Sequence, residues 1–256
     1  MQEIFSLKGK TALITGGSRG IGRMIAEGFL SYGARVYISA RKGGPLEETA
    51  RELSSLGSCT ALTTNASGAD GAKAMAGAYL KHEKTLDILV NNAGAAWGAE
   101  FDEFPESGWD KVMDLNLKTP FFLTQALHGA LKAAATKERL AKVINIASID
   151  GIAVNPQETY SYHASKAGLI HLTRRMAVRL IRDNIAVSAI APGAFASDMN
   201  RVARDHGDEA SRMIPARRIG TPEDMAGAAI YLASRAGDYV VGATIIVDGG
   251  VSMMRG

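Results

Sequence analysis

The chain has 256 residues, 46% hydrophobic and 21% charged, a composition that suits a folded α/β chain with a large core and excludes a low-complexity or disordered one. Its 29 basic and 26 acidic residues are interspersed and leave a formal charge of +3, too small and too scattered to call for a nucleic-acid or membrane-surface partner. The single cysteine, Cys59, excludes an intrachain disulfide framework, and every apolar run is broken before it could cross a bilayer, so the expectation is a cytoplasmic protein without a secretory leader.

The first short apolar run, Lys10–Thr15, leads into Gly16-Gly17-Ser18-Arg19-Gly20-Ile21-Gly22 and then a helical pattern from Ile21 to Tyr32. Glycines allow a tight turn, and a helix N-terminus offers unpaired N–H groups to a pyrophosphate. Gly16, Ser18, Arg19, Gly20, Ile21 and Gly22 therefore read as a dinucleotide-binding turn between strand and helix; no Gly-Lys-Ser/Thr ending follows, which argues against an ATPase. The second run, Arg35–Ser39, ends in Ala40-Arg41-Lys42, with no carboxylate to hold a ribose 2′-hydroxyl. Arg19 and Arg41 can both reach a 2′-phosphate instead, which selects NADP(H) over NAD.

A weaker strand covers Cys59–Thr63, after which Asn65, with its neighbour Ala66, is placed to face an adenine ring. The run Leu86–Val90 leads to Asn91-Asn92-Ala93-Gly94, where Asn92, Ala93 and Gly94 lie at the cofactor crevice and Asn91 can tie neighbouring strands together. Helical spacing of apolar residues follows over Gly108–Ala134, then the run Lys142–Ile146, a helix Tyr162–Leu180, and the runs Ile185–Ile190 and Thr244–Val247. Such runs suit strands buried on both faces. They predict a doubly wound Rossmann-type α/β three-layer sandwich with a seven-stranded parallel sheet, in a single dinucleotide-binding catalytic domain over 1–256.

Ser148 follows a strand, and Tyr162 and Lys166 stand four apart on one helix face. Carbonyl reduction needs a proton at oxygen as hydride reaches carbon. An ordinary tyrosine, with a pKa of roughly 10, is poorly matched to that task, and a nearby ammonium favours the phenolate. Ser148 can hold the substrate oxygen against the tyrosine. Tyr160 competes with Tyr162, but its i+4 partner is Ala164; His163 and His171 have no partner at a catalytic spacing. No metal is called for.

With these motifs in order, the chain resembles the short-chain dehydrogenase/reductase family over essentially its whole length, and within it the 3-oxoacyl reductases, most closely the branch associated with bacterial rhamnolipid synthesis. The resemblance implies a catalytic set Asn116, Ser148, Tyr162 and Lys166. Tyr162 would be the acid/base, Ser148 the substrate-oxygen anchor, Lys166 the nicotinamide-ribose ligand that supports Tyr162, and Asn116 the holder of a relay water. It also implies cofactor contacts at Pro192, Gly193, Phe195 and Ser197, and through the backbone of Ile190. Asn65 stands where the family usually has aspartate, and Ser197 where it commonly has threonine.

The segment 195–218 reads as a lid. Its arginines, Arg201, Arg204, Arg212, Arg217 and Arg218, could draw a carrier or coenzyme A phosphate, or simply form a solvated face. The pocket walls are expected at Ala95, Trp97, Ile149, Asp150, Asn155, Phe195 and Met199. The substrate is read as a small carbonyl or alcohol compound, carrier- or coenzyme A-linked in the acyl reading. Alternatives are a sugar or small secondary-alcohol dehydrogenase, or a non-catalytic dinucleotide-binding regulator. The resemblance further implies a homotetramer paired through the Gly108–Ala134 and Tyr162–Leu180 helices, with Asp248–Gly250 completing it.

Overall fold

The computed structural model of the chain describes residues 2–197, 200 and 204–254. Seven strands, β1 (Thr11–Thr15), β2 (Arg35–Ala40), β3 (Cys59–Thr63), β4 (Ile88–Asn91), β5 (Ala141–Ile146), β6 (Ile185–Pro192) and β7 (Thr244–Val247), lie in one sheet of order β3-β2-β1-β4-β5-β6-β7. Every pairing is parallel, with Ile14 opposite Ile38 and Val90, and Asn91 opposite Asn145. The order reverses between β1 and β4, and such a switch point opens the crevice where doubly wound sheets bind ligands.

Alternation along each strand divides the core in two. Ala12, Ile14, Val36, Ile38, Val90, Ile144 and Ile190 face α1 (Gly20–Ser31), α2 (Gly43–Leu53) and α9 (Pro222–Ala233). Leu13, Tyr37, Leu89, Val143 and Val187 face α3 (Gly68–Leu80), α5 (Thr119–Ala126), α6 (His128–Ala134) and α7 (Tyr160–Leu180). Helices on both faces of a parallel sheet are the expected three-layer α/β sandwich. Boundaries shift by one or two residues from the sequence reading at several ends; those that bear on the site are β4, which takes in Asn91, and β6, which runs on to Pro192.

The segment 106–134 is not one helix. It divides into α4 (Glu106–Met113), a π-helical turn Asp114–Lys118, α5 and α6. Pro120 has no N–H to give, and the Thr119 hydroxyl lies 2.8 Å from Asp114 O and 2.9 Å from Ala66 O while accepting from Gly68 N at 2.9 Å. The wider turn puts Asn116 on the inside, 1% exposed.

The amino ends of the strands carry buried charge. Asp87 accepts from Thr11 N at 2.9 Å and from Arg139 Nη2 at 2.7 Å. Lys142, 1% exposed, pairs with Asp238 across 2.7 Å, and burial holds its pKa below the usual lysine value while Asp238 acts against that. Asp238→Ala is therefore expected to lower stability in urea unfolding by about 1–3 kcal/mol, less than for a fully buried pair because the stranded lysine can shed its proton. The loss should be larger at pH 6 than at pH 9, and Lys142→Met in the same chain should recover part of it.

Candidate active site

The glycine turn and the Asn-Asn-Ala-Gly turn form one structure. Gly16 takes φ +69°, and a Cβ at Gly22 would lie 2.3 Å from Gly16 O and 2.5 Å from Asn92 Nδ2. Asn92 Nδ2 donates to Thr15 O at 2.9 Å and to Gly16 O at 3.1 Å, while Thr15 Oγ1 accepts from Asn92 N and Ala93 N, each at 3.0 Å. Gly17 N donates to Ser39 O at 3.1 Å, which joins the turn to the end of β2. The result is a cradle without side chains at the N-terminus of α1, and that shape suits the pyrophosphate of a dinucleotide.

Arg19 precedes α1 in extended backbone with its side chain exposed, Arg41 is exposed beyond β2, Ser18 O accepts from Thr49 Oγ1 at 3.0 Å, and Ile21 packs on the core. Asn65 is exposed, and its Oδ1 accepts from Ser67 N at 3.3 Å in a tight turn above buried Ala66. Ser197 reaches back over the cradle, its Cβ 3.1 Å from where a Cβ on Gly20 would stand. Pro192 ends β6, Gly193 N donates to Val247 O at 2.9 Å, and Ile190 is fully buried opposite Ile245. Phe195 is 2% exposed with its ring against Gly220, and its main chain forms an isolated parallel bridge with the same residue.

Tyr162 and Lys166 lie on α7, where i and i+4 share a face, and both look toward Ser148 at the end of β5. Lys166 Nζ donates to Ile146 O at 2.8 Å and stands 5.6 Å from the Tyr162 ring centroid. Burial pushes the Tyr162 phenol up to about 12; the Ser148 hydroxyl acts against that and the Asp150 charge adds to it. Burial pushes the Lys166 ammonium down to about 8. The sequence argument had the ammonium drawing the tyrosine toward phenolate. In the structure burial acts the other way and raises the phenol.

Asn116 reaches this group through its neighbours. Its Oδ1 accepts from Ala95 N at 2.8 Å, and its Nδ2 donates to Ala95 O at 2.9 Å and to Ser165 Oγ at 3.0 Å. Both amide hydrogens are thus taken by protein. Gly94 fits between this amide and the lysine, since a Cβ there would be 3.3 Å from Asn116 Oδ1 and 3.8 Å from Lys166 Nζ.

A second set of polar residues anchors α7: Asn91 ties neighbouring strands together as the sequence reading expected, while its partners Asn145 and Thr173 were not singled out from sequence. Asn91 Nδ2 donates to Asn145 Oδ1 at 2.9 Å, and Asn145 Nδ2 donates to Thr173 Oγ1 at 2.8 Å, all three buried. The available signal was an asparagine in the middle of an apolar strand.

Of the expected pocket walls, Ile149 packs with Ile214 and Val251 beneath the segment 195–218, and Asp150 and Asn155 bond to each other at 2.7 Å. Trp97 lies over Gly108 with Lys111 Nζ 5.0 Å from its ring, so its indole serves α4. Asp198, Met199 and Arg201 lie outside the described residues. The segment's described part includes α8 (Gly207–Arg212). Its arginines are partly matched within the chain: Arg204 with Asp205 at 2.8 Å, Arg218 with Asp224 at 3.0 Å, and Arg217 Nη1 donating to Arg212 O at 2.7 Å. Among the described residues no group of three His, Cys, Asp or Glu could hold a metal ion, and no helix is long and apolar enough to cross a membrane.

Comparison with known proteins agrees with this geometry. Residues 16–252 match a family model described as enoyl-(acyl carrier protein) reductase. The chain is 47% identical over 255 residues to the rhamnolipids biosynthesis 3-oxoacyl-[acyl-carrier-protein] reductase of Pseudomonas aeruginosa, covering 98% of this chain and 99% of that one. It is 39% identical over 254 residues to the 2-dehydro-3-deoxy-D-gluconate 5-dehydrogenase of Escherichia coli, covering 96% of each. The solved Pseudomonas aeruginosa RhlG/NADP active-site complex superposes with a TM-score of 0.94 at 45% identity, covering 98% of this chain and 100% of that one.

The cradle supplies its own check. Gly22→Ala pushes a methyl into Gly16 O and the Asn92 amide. Titration with NADPH, followed by fluorescence, is expected to show binding weakened more than tenfold, about 1.4 kcal/mol or more, while circular dichroism stays that of the folded chain.

Proposed function

The chain belongs to the short-chain dehydrogenase/reductase family and is an NADP(H)-dependent oxidoreductase; from that premise we propose that it reduces the 3-oxo group of an acyl thioester, or a related ketone, to a secondary alcohol. The observation that carries this reading is the placing of the half-buried Tyr162 phenol beside Ser148 with Lys166 Nζ 5.6 Å from its ring, at the mouth of the cofactor crevice. A reductase needs a proton donor at that point.

In the proposed mechanism, Gly16, Ser18, Arg19, Gly20, Ile21 and Gly22 hold the pyrophosphate end of the dinucleotide, with Arg19 and Arg41 on the 2′-phosphate. Asn65 and Ala66 lie along the adenine, and Asn92, Ala93, Gly94, Pro192, Gly193, Phe195 and Ser197 along the rest. Bound NADPH supplies the hydride. Ser148 Oγ holds the carbonyl oxygen, and Tyr162 gives that oxygen its proton. Lys166, kept in place by Ile146 O, steadies the phenolate that results and binds the nicotinamide ribose. Asn116 holds α7 and the 92–97 segment together; with its amide hydrogens taken, a relay water meets the main chain of the π turn.

The proposal treats 1–256 as one catalytic domain with 195–218 as its substrate lid, the substrate arriving as a carrier- or coenzyme A-linked thioester. It places the protein in the cytoplasm, in keeping with one cysteine and the absence of a disulfide framework. It makes the assembly a homotetramer. Exposed apolar residues on α4, α5 and α7, among them Trp109, Phe121 and Val178, and the exposed Met253 and Met254 beyond Asp248–Gly250, support that assembly. The second reading, oxidation of a sugar acid or small secondary alcohol, has the Escherichia coli relative in its favour. A non-catalytic role is disfavoured by the complete Asn116, Ser148, Tyr162 and Lys166 set.

NADPH consumption by the purified protein should be fast with a 3-oxoacyl thioester and slow with keto sugar acids and with NADH; the reverse order would put the sugar reading first. Tyr162→Phe is expected to lower kcat by about 10²–10⁴-fold with NADPH affinity kept, and retained turnover would remove Tyr162 as proton donor. Lys166 is cationic below its depressed pKa of about 8. Reductive kcat/KM should therefore hold steady through neutral pH and fall as pH rises past that value, which a pH–rate profile reads directly.

A further inference from the structure

Past β7 the chain makes a tight turn that touches both the segment 195–218 and the residue beside Ser148. Asp248 builds it: Oδ1 accepts from Gly250 N at 2.8 Å, and Oδ2 accepts from Ser252 N at 2.7 Å. Gly249 and Gly250 take φ +63° and +94°, a left-handed backbone that favours glycine. Their missing side chains leave a seat for the foot of the lid, Ile214–Ala216. A Cβ at Gly249 would lie 2.7 Å from Ile214 Cγ2 and 3.1 Å from Ala216 Cβ, and Ala216 N donates to Gly249 O at 3.0 Å. A short helical turn, Val251–Met254, follows, and Val251 is 8% exposed.

The helical turn Ile149–Gly151, which follows Ser148, is gripped from two sides. Gly151 lies so close to α7 that a Cβ there would fall 2.7 Å from Lys166 C and 2.8 Å from Ala167 N. Ile149 packs instead with Ile214 and Val251 in one buried apolar cluster. We propose that Val251 is a positioning residue that couples the foot of the lid to Ser148 through Ile149. The inference rests on the reading of Ser148 as the anchor of the reacting oxygen.

The α7 side of the grip is rigid, since the Asn145–Thr173 bond ties that helix to the sheet. The apolar side is where the turn can shift. Ser148 Oγ accepts from Asp150 N at 3.1 Å, so the anchor moves with its turn as one piece. Val251 fills the space into which Ile149 would otherwise relax, and such packing is lost once a gap of even 1 Å opens. In reduction, hydride from bound NADPH joins the carbonyl carbon while the carbonyl oxygen takes the Tyr162 proton. Both transfers need that oxygen held in one place, and a misplacement of about 1 Å costs up to about a hundredfold in rate. Ile214 brings the lid into the same contact. A seated lid and an aimed hydroxyl are thus one arrangement rather than two.

The test is a single turnover of bound NADPH, followed by stopped-flow absorbance, with a saturating 3-oxoacyl thioester and, separately, a saturating keto sugar acid. The rate constant reads hydride transfer, and the amplitude counts the folded, active molecules. Val251→Ala should lower the rate constant by about tenfold, with the amplitude and the NADPH affinity kept. Val251→Ile, which refills the contact, should restore the rate. Ile214→Ala should give the same signature, and the double variant Val251→Ala/Ile214→Ala should be about as slow as the slower single one. A lowered amplitude with an unchanged rate constant, or losses that multiply in the double variant, would overturn the proposal and leave Val251 an ordinary packing residue. Should Val251→Ala not fold by circular dichroism, Val251→Thr, of the same shape, carries the same readout. Turnover of the keto sugar acid alone, with its rate constant still lowered in Val251→Ala, would remove the acyl reading and keep the positioning role.

Discussion

The buried amide chain Asn91–Asn145–Thr173 is the constraint on which the site depends. It runs from β4 through β5 into α7, all three side chains buried, where an unpaired amide group costs about 1–3 kcal/mol. The two hydrogen bonds of the chain form in one register of strand on strand and one rotation of helix on sheet. Asn91 Oδ1 goes without a partner, a local cost that the rest of the chain offsets. Because α7 cannot turn or slide, the face that carries Tyr162 and Lys166 is fixed above the end of β5. The Asn116–Ser165 contact repeats the arrangement from the other side, tying α7 to the π turn.

Burial then sets the chemistry in a way that pair attraction alone would not. It acts on the phenol and on the ammonium alike, favouring the neutral form of each, so the tyrosine becomes a weaker acid and the lysine a stronger one. The two groups, nearly equal in proton affinity when free, are thereby driven apart, the phenol holding its proton more tightly than the ammonium. The opposite end of the sheet uses charge differently. There Asp87, Arg139, Lys142 and Asp238 close the bottom of the parallel strands, where a polar end would otherwise be left open. One end of the sheet is held by ion pairs and the other kept open for ligands.

The strands were legible because a sheet covered on both faces leaves uninterrupted apolar runs, and the cofactor turns because glycine clusters fell directly after two of them. Ser148, Tyr162 and Lys166 lay near the ends of elements already located, and the structure sets these three side chains beside one another. What stayed hidden depends on contacts distant in sequence. Nothing in the spacing of Gly108–Ala134 marks a π turn, which arises from Thr119 bridging to Asp114 and Ala66 beside a proline. Asn145 looked like an intruder in a strand, and its partners Asn91 and Thr173 are far away along the chain. Trp97, read as a pocket wall, finds the gap left by Gly108. The balance between desolvation and charge at Tyr162 is likewise invisible until the depth of the site is known.

The close seat of Gly151 on the backbone of α7 also bears on how the protein can change. It divides the stretch between Ser148 and Tyr162 into an anchored beginning, which Ile152 N and Ala153 N close by donating to Ile149 O, and a remainder, 154–159, tied back to it by the Asn155–Asp150 hydrogen bond. Added or lost residues in that remainder need not disturb the helix beneath. Such a layout lets substrate range be rewritten by grafting a short loop, while the machinery that moves the proton is inherited intact.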